Sequence, residues 1–189
     1  MTISVIIPTL NEYTVLAQTL AHTTALDLGD IIVVDGGSTD GTVPLAEELC
    51  ARTANMGVIT APRGRARQMN EGAKASRGET LLFLHADTQL PDNAGRIIES
   101  ALADPTVNGG RFDVQFDHPS PWGRMIGAFM NWRSRLSGIA TGDQAIFVRR
   151  QVFEQLGGFS DIPLMEDIEF SKRLKRAGRV AALRETVTT

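Results

Sequence analysis

Acidic side chains stand in this chain where chemistry could be done. Asp35 closes the apolar run Ile31-Ile32-Val33-Val34, Asp87 follows Leu81-Leu82-Phe83-Leu84-His85-Ala86, and Glu166-Asp167 opens a helical pattern. Carboxylates gathered in one cleft can hold a divalent cation, accept the hydroxyl and imide hydrogens of a nucleoside, or take a proton from an attacking alcohol. Arg63, Arg65 and Arg67 lie at or just inside the start of a short helical segment. Cations there oppose the helix dipole, so an anionic partner such as a diphosphate accounts for them better than helix stability does. Guanidinium groups grip phosphate oxygens through paired, charge-assisted bonds. A solvated basic loop is the plainer alternative.

These side chains need a scaffold, and the hydrophobic pattern describes one. Ile3 to Ile7 reads as a buried strand stopped by Pro8, with Asn11 as the cap of a helix through Val15, Leu16 and Leu20. Ile31 to Val34 is a second strand, and Thr42 with Pro44 starts a second helix. Met56 to Thr60 is a weaker strand, Ala66 to Ala75 a helix, Thr80 to Leu84 the most apolar strand, and Ile97, Ile98, Ala101 and Leu102 a further helical face. Such alternation predicts an α/β fold, a Rossmann-like and mostly parallel central sheet flanked by helices. After Asp104-Pro105 the pattern changes: Arg111 to Phe116 alternates, Ala145 to Val148 reads as a strand, a helix lies between them, and another runs from Glu166 through Leu174. This predicts a mixed-sheet C-terminal half. The simplest organisation is one domain over 1–189, with residues 1–104 binding a nucleotide and 105–189 binding an acceptor. In open α/β sheets ligands sit at the carboxyl ends of the strands, which places Asp35 and Asp87 at one crevice.

Composition narrows the classes. A chain of 189 residues, 42% hydrophobic and 22% charged, is long and apolar enough for one sizeable core. Its formal charge of −3 gives no global attraction to nucleic acid. One cysteine rules out an internal disulfide framework and a multi-cysteine zinc site; Cys50 falls on the apolar side of a helical pattern and is expected to be buried. No signal peptide precedes Ile3, and no apolar run approaches the roughly 20 residues that span a bilayer. The expectation is a cytoplasmic protein, with membrane association left open.

Gly36, Gly37 and Gly41 remove side chains where backbone must approach a ligand, and Ser38, Thr39 and Asp40 supply turn chemistry. A dinucleotide site would need a glycine fingerprint after the first strand, where Pro8-Thr9-Leu10-Asn11-Glu12-Tyr13 stands instead. Pro8-Thr9-Leu10-Asn11-Glu12, Val34-Asp35-Gly36-Gly37-Ser38, His85-Ala86-Asp87 and Met165-Glu166-Asp167, in this order, resemble a family 2 glycosyltransferase of GT-A fold from about Ile3 to Ala177. The resemblance implies inverting transfer of a sugar from a nucleoside diphosphate donor, UDP-linked ahead of GDP-linked, with Mg or Mn.

It also implies roles. Pro8, Thr9, Asn11, Glu12, Asp35, Gly37, Ser38, Arg63, Arg65, Arg67, His85 and Ala86 would bind the nucleotide, and Asp87 the metal. Asp167 would be the general base beside Glu166, and Asp143, Gln144 and Arg111 would face sugar or acceptor. His85 stands where the family carries the first acid of its DxD motif; it could bond the sugar, ligate a softer ion or fill space. Taken alone, Glu166, Asp167 and Glu169 could simply complement a helix dipole. Two readings compete with transfer: a sugar nucleotidyltransferase, although the basic glycine-rich loop usual after its first strand is missing, and a non-catalytic nucleotide-sugar-binding module.

Trp122, Met125, Ile126, Phe129, Met130 and Leu136 recur at helical spacing with Arg124, Arg133 and Arg135 among them. Core packing or a homodimer contact is the favoured reading, a membrane surface or a lipid-like acceptor the other. Thr186 to Thr189 shows no clear closing element, whereas similar proteins often continue there.

Overall fold

The computed structural model describes residues 1–117 and 121–189. In chain order the elements are β1 (Ile3–Thr9), α1 (Tyr13–Ala25), β2 (Ile31–Asp35), α2 (Thr42–Cys50), β3 (Met56–Thr60), α3 (Arg65–Ala75), β4 (Thr80–Phe83), α4 (Ala94–Leu102), β5 (Val107–Gln115), α5 (Pro121–Ser137), a short 3₁₀ turn (Gly142–Gln144), β6 (Phe147–Arg149), α6 (Arg150–Gln155), α7 (Glu166–Ala177) and β7 (Arg179–Thr188). One sheet of seven strands runs β3-β2-β1-β4-β6-β5-β7. Only β6 is antiparallel to its neighbours. The chain moves outward from β1 through β2 to β3, then returns to place β4 on the other side of β1, so the switch point lies between β1 and β4.

Strands buried on both faces explain the unbroken apolar runs. Ile3, Val5 and Ile7 point into a core shared with Leu16, Leu20, Ile98, Phe112 and Phe147. Ile6 and Val34 face a second core with Met69, Phe83, Phe153, Phe159 and Phe170. α3 lies close on the sheet because Gly72 has no side chain: a Cβ there would stand 2.5 Å from Ile6 Cγ2 and 2.9 Å from Val34 Cγ2.

Several elements differ from expectation. Gly109-Gly110 belongs to β5, where the neighbours leave no room for a Cβ; one at Gly109 would meet the Phe147 carbonyl oxygen at 2.4 Å. Arg179–Thr188, whose last residues show no clear closing element in the sequence, is a ten-residue edge strand parallel to β5. Its pattern hid it, since Val187 alone is fully buried and pairing with β5 holds the rest. Asn11 does not cap α1, whose N-cap is Glu12 without a side-chain bond; Asn11 sits at φ 59° and joins two loops. Cys50 is only partly buried, with burial and Glu47 raising its thiol pKa. The large apolar side chains of α5 are exposed, and of the segment's apolar set only Met130 packs partly on the core.

Candidate active site

At the switch point a cleft of ≈ 400 Å³ opens across the carboxyl ends of β1 and β4. Pro8, Thr9, Leu10 and Glu12 come from the end of β1, and His85, Ala86 and Asp87 from the end of β4. Arg63, Gly64, Arg65 and Gln68 come from the start of α3, and Pro163, Leu164 and Glu166 from the approach to α7. A smaller hollow below, lined by His85, Gly142, Glu166 and Asp167, forms its floor.

The loop after β2 shapes the cleft from behind. Asp35 is buried, its Oδ2 accepting from the amides of Gly37 (2.7 Å) and Ser38 (2.9 Å) and its Oδ1 from the Ser38 hydroxyl. Positive φ at Gly37, 97°, allows that turn. The loop is laced to the one after β1: Asn11 N donates to Ser38 Oγ (2.8 Å), Thr39 N to Asn11 Oδ1 (2.9 Å), and Glu12 N to Thr42 Oγ1 (2.9 Å). Asp35, Gly37, Ser38 and Asn11 thus knit the two loops together, and the residues that line the cleft beside them are Thr9 and Glu12. Buried Gln68 donates to the carbonyls of Thr9 and Val34, each at 2.8 Å, and so ties off the ends of β1 and β2. The sequence signal for Gln68 was a lone amide on the apolar face of α3, beside Ala66, Met69 and Ala73.

The acids on the cleft are electrostatically uneven. Burial and then Asp87 push the Glu12 carboxyl above its ordinary value, with His85 and Arg65 pulling it back. Asp87 is exposed, its Oδ1 approached by the hydroxyls of Thr88 (3.2 Å) and Thr189 (3.3 Å). Glu166 is buried, its Oε1 has no hydrogen-bond partner, and Arg65 stands 3.8 Å away. Asp167 accepts from Gly142 N at Oδ2 (2.6 Å) and from Ile168 N at Oδ1 (2.7 Å). Met165, which precedes both acids, is held at φ 65°, backbone strain of the kind that concentrates at working sites.

His85 Nδ1 lies 3.1 Å from Asp143 Oδ1, and this contact holds the Asp143 carboxyl below its usual range. An acid thus stands beside position 85, carried by the 3₁₀ turn. His85 Nε2 is buried without a partner, and a Cβ on Gly142 would come within 2.4 Å of it.

Three sequence candidates lie elsewhere. Arg67 pairs with Asp161 at 2.8 Å, away from the cleft. Arg111 is buried against Asp113 and reaches the Asn131 carbonyl at 3.5 Å, so it braces β5 to α5. Gln144 is buried, closing the 3₁₀ turn through Thr141 and donating to the Phe112 carbonyl at 3.4 Å. Packing claimed Arg111 and Gln144 and a surface ion pair claimed Arg67, neither of which a linear pattern reveals.

The model of Glycosyl transferase family 2 matches residues 4–157. The chain belongs to this family. It is 29% identical over 197 residues to "Probable glycosyltransferase YdaM" of Bacillus subtilis, a match covering 93% of this chain and 47% of that protein. Among solved structures, the mannosyltransferase PcManGT from Pyrobaculum calidifontis, in complex with GDP-Man and Mn2+, superposes with a TM-score of 0.79 at 21% identity, covering 99% of this chain and 56% of that one. TarS 1-349 of S. aureus in complex with UDP-GlcNAc gives 0.79 at 17% identity, covering 100% and 58%. These likenesses confirm the GT-A fold. The chain spans about half the length of the proteins it matches.

Proposed function

We propose that this domain transfers a sugar from a nucleoside diphosphate donor, UDP-linked ahead of GDP-linked, to an acceptor hydroxyl with inversion at the anomeric carbon. The observation that carries this reading is the convergence of Arg63, Arg65, Asp87 and Glu166 on one cleft, with Asp167 on its floor. The nucleoside would lie along Pro8, Thr9 and Glu12, on the wall braced by Asp35 and Ser38. Arg63 and Arg65 would bind the diphosphate oxygens. Two solved structures of the same fold hold UDP-GlcNAc, and GDP-Man with Mn2+, which supports a nucleotide-sugar donor for this chain.

A divalent cation suits the residues present. Among the described residues no three His, Cys, Asp or Glu side chains group to hold a metal alone. Mg-type sites commonly use one or two carboxylates and complete their shell with substrate phosphates. Asp87, exposed and raising the Glu12 carboxyl, offers such a carboxylate. Bound there, the ion would supply charge neutralisation for the departing diphosphate.

The chain's own groups do the rest. Asp167 takes the proton of the acceptor hydroxyl as its oxygen attacks the anomeric carbon from the face opposite the leaving diphosphate; one displacement inverts the centre. The two backbone N–H bonds to Asp167 fix the orientation of its carboxylate. Glu166, with an unpartnered buried oxygen, accepts from a sugar hydroxyl, and Arg65 stabilises charge on the leaving group. His85, held by Asp143, presents Nε2 towards the same floor.

Incubation with UDP- and GDP-sugars and Mn, reading nucleoside diphosphate release, tests this. Slow release that Asp87→Ala reduces is expected. Pyrophosphate release from a nucleoside triphosphate and a sugar phosphate would replace the reading with nucleotidyl transfer, and tight nucleotide binding without turnover of any donor would replace it with a binding module.

A further inference from the structure

Helix α5 is amphipathic the wrong way round for a protein surrounded by water. Towards β5 it turns small and polar residues: Gly127 and Ser134 are buried, and the Asn131 side chain bonds the backbone of Val114 at 2.9 and 3.0 Å. A Cβ on Gly127 would stand 3.2 Å from the Val114 carbonyl oxygen, so the helix lies close on the strand. Outward it presents Trp122, Met125, Ile126, Phe129, Trp132 and Leu136, all exposed, at spacings that put them on one stripe. Scattered exposed apolar residues mean nothing, but a contiguous stripe of six large ones marks a contact surface.

Charge identifies what the stripe meets. Residues 121–137 contain three arginines and no acid in a chain of net charge −3. Arg135 is spent on Asp113 and a terminal nitrogen of Arg133 is buried, which leaves Arg124 exposed. A second copy packed here through a two-fold axis would bring no acid from its own helix to answer Arg124. Anionic headgroups above an apolar layer match both features: aromatic and aliphatic side chains enter the interface while Arg124, on a helix without acids, meets phosphate. No helix among the described residues is long and apolar enough to cross a membrane, so the contact would lie in the interface plane.

We infer that the outer face of α5 docks the domain on an anionic bilayer surface. Only four residues separate Ser137 from Gly142 on the floor of the cleft, and Asp143 follows against His85, so docking brings the site to the headgroup region. This rests on the proposed function only in giving that reaction a lipid-like acceptor.

Both tryptophans of the chain lie on the stripe, so intrinsic fluorescence reports the contact without a label. With vesicles of phosphatidylcholine and phosphatidylglycerol, the emission should shift to the blue and be quenched when the lipid tails are brominated. Pure phosphatidylcholine should bind more weakly, and added salt should weaken the anionic case. Met125→Glu with Phe129→Glu should lower partitioning at least about tenfold, a change of about 1.4 kcal/mol, without altering the melting temperature, because both side chains face solvent. No quenching in the unsubstituted protein, no preference for anionic vesicles, or a concentration-dependent dimer that the double substitution dissolves would each overturn the inference. The vesicle measurement needs no donor, so its failure and the failure of sugar transfer are separately visible.

Discussion

Replacing Asp167 by Asn tests the chemistry at its most exposed point. General-base assistance contributes about 10² to 10⁴ in rate, or about 2.7 to 5.4 kcal/mol at 1.36 kcal/mol per decade. The substitution also has a structural side, because each Asp167 oxygen accepts a backbone N–H, from Gly142 at 2.6 Å and from Ile168 at 2.7 Å. An amide has one oxygen and one NH₂, so one of these bonds is lost and two donors face each other. Losing a bond to a charged group costs about 1.5 to 3 kcal/mol, which overlaps the lower part of the kinetic range. Stability and turnover must therefore be measured together. Donor hydrolysis should fall at least about 10²-fold in kcat. Nucleotide affinity should hold within about threefold, about 0.65 kcal/mol, since Asp167 lies on the floor and not along the wall formed by Thr9, Glu12 and Arg63. If Asp167→Asn hydrolyses donor within about tenfold of the unsubstituted protein, less than 1.4 kcal/mol, Asp167 is not the base.

Arg65→Ala should weaken nucleoside diphosphate binding about 10-fold or more by calorimetry, the loss of one charge-assisted contact, whereas Arg67→Ala should change it little because Arg67 is occupied by Asp161. Equal losses would place the phosphates nearer α3's outer face. Glu12→Gln should raise the melting temperature at neutral pH. The Glu12 carboxyl is raised by burial, so its contribution is full below the ordinary 4.5 and is lost as pH rises through the raised value, leaving the ionised group unfavourable at about pH 7; the gain should vanish in acid. A gain that persists below about pH 4 would refute this account. Gly72→Ala should destabilise the fold in urea titrations: overpacking against Ile6 and Val34 costs about 1 to 3 kcal/mol, and the Ala gains back about 1 kcal/mol of helix propensity. Both neighbours are β-branched and stiff, so the cost should prevail.

Much of the fold was legible because strands covered on both faces must be apolar throughout. β1, β2 and β4 each appeared as such runs, and Asp87, just beyond the end of β4, marked the crevice. The second half was harder to read. β7 carries few buried side chains and depends on its parallel partner β5, while Gly109-Gly110, outside the alternating pattern from Arg111 to Phe116, belongs inside the strand where close packing leaves no room for a side chain. Arg111 and Gln144 have the chemistry of sugar contacts, but their partners Asp113 and Phe112 draw them into the interior.

The order of residues alone determined that strands and helices alternate, that carboxylates and guanidinium groups stand at their ends, and that α5 has an apolar stripe, because these are properties of local period and composition. Which groups meet was decided only by the tertiary structure. Asp143 reaches His85, Arg65 approaches Glu166, and Gly142 N finds Asp167 across long stretches of chain, while the stripe of α5 faces outward because Gly127, Asn131 and Ser134 fit against β5. A sequence states the period of each element, but contacts between elements follow from how closely their surfaces can approach, and here glycines and small residues set those distances.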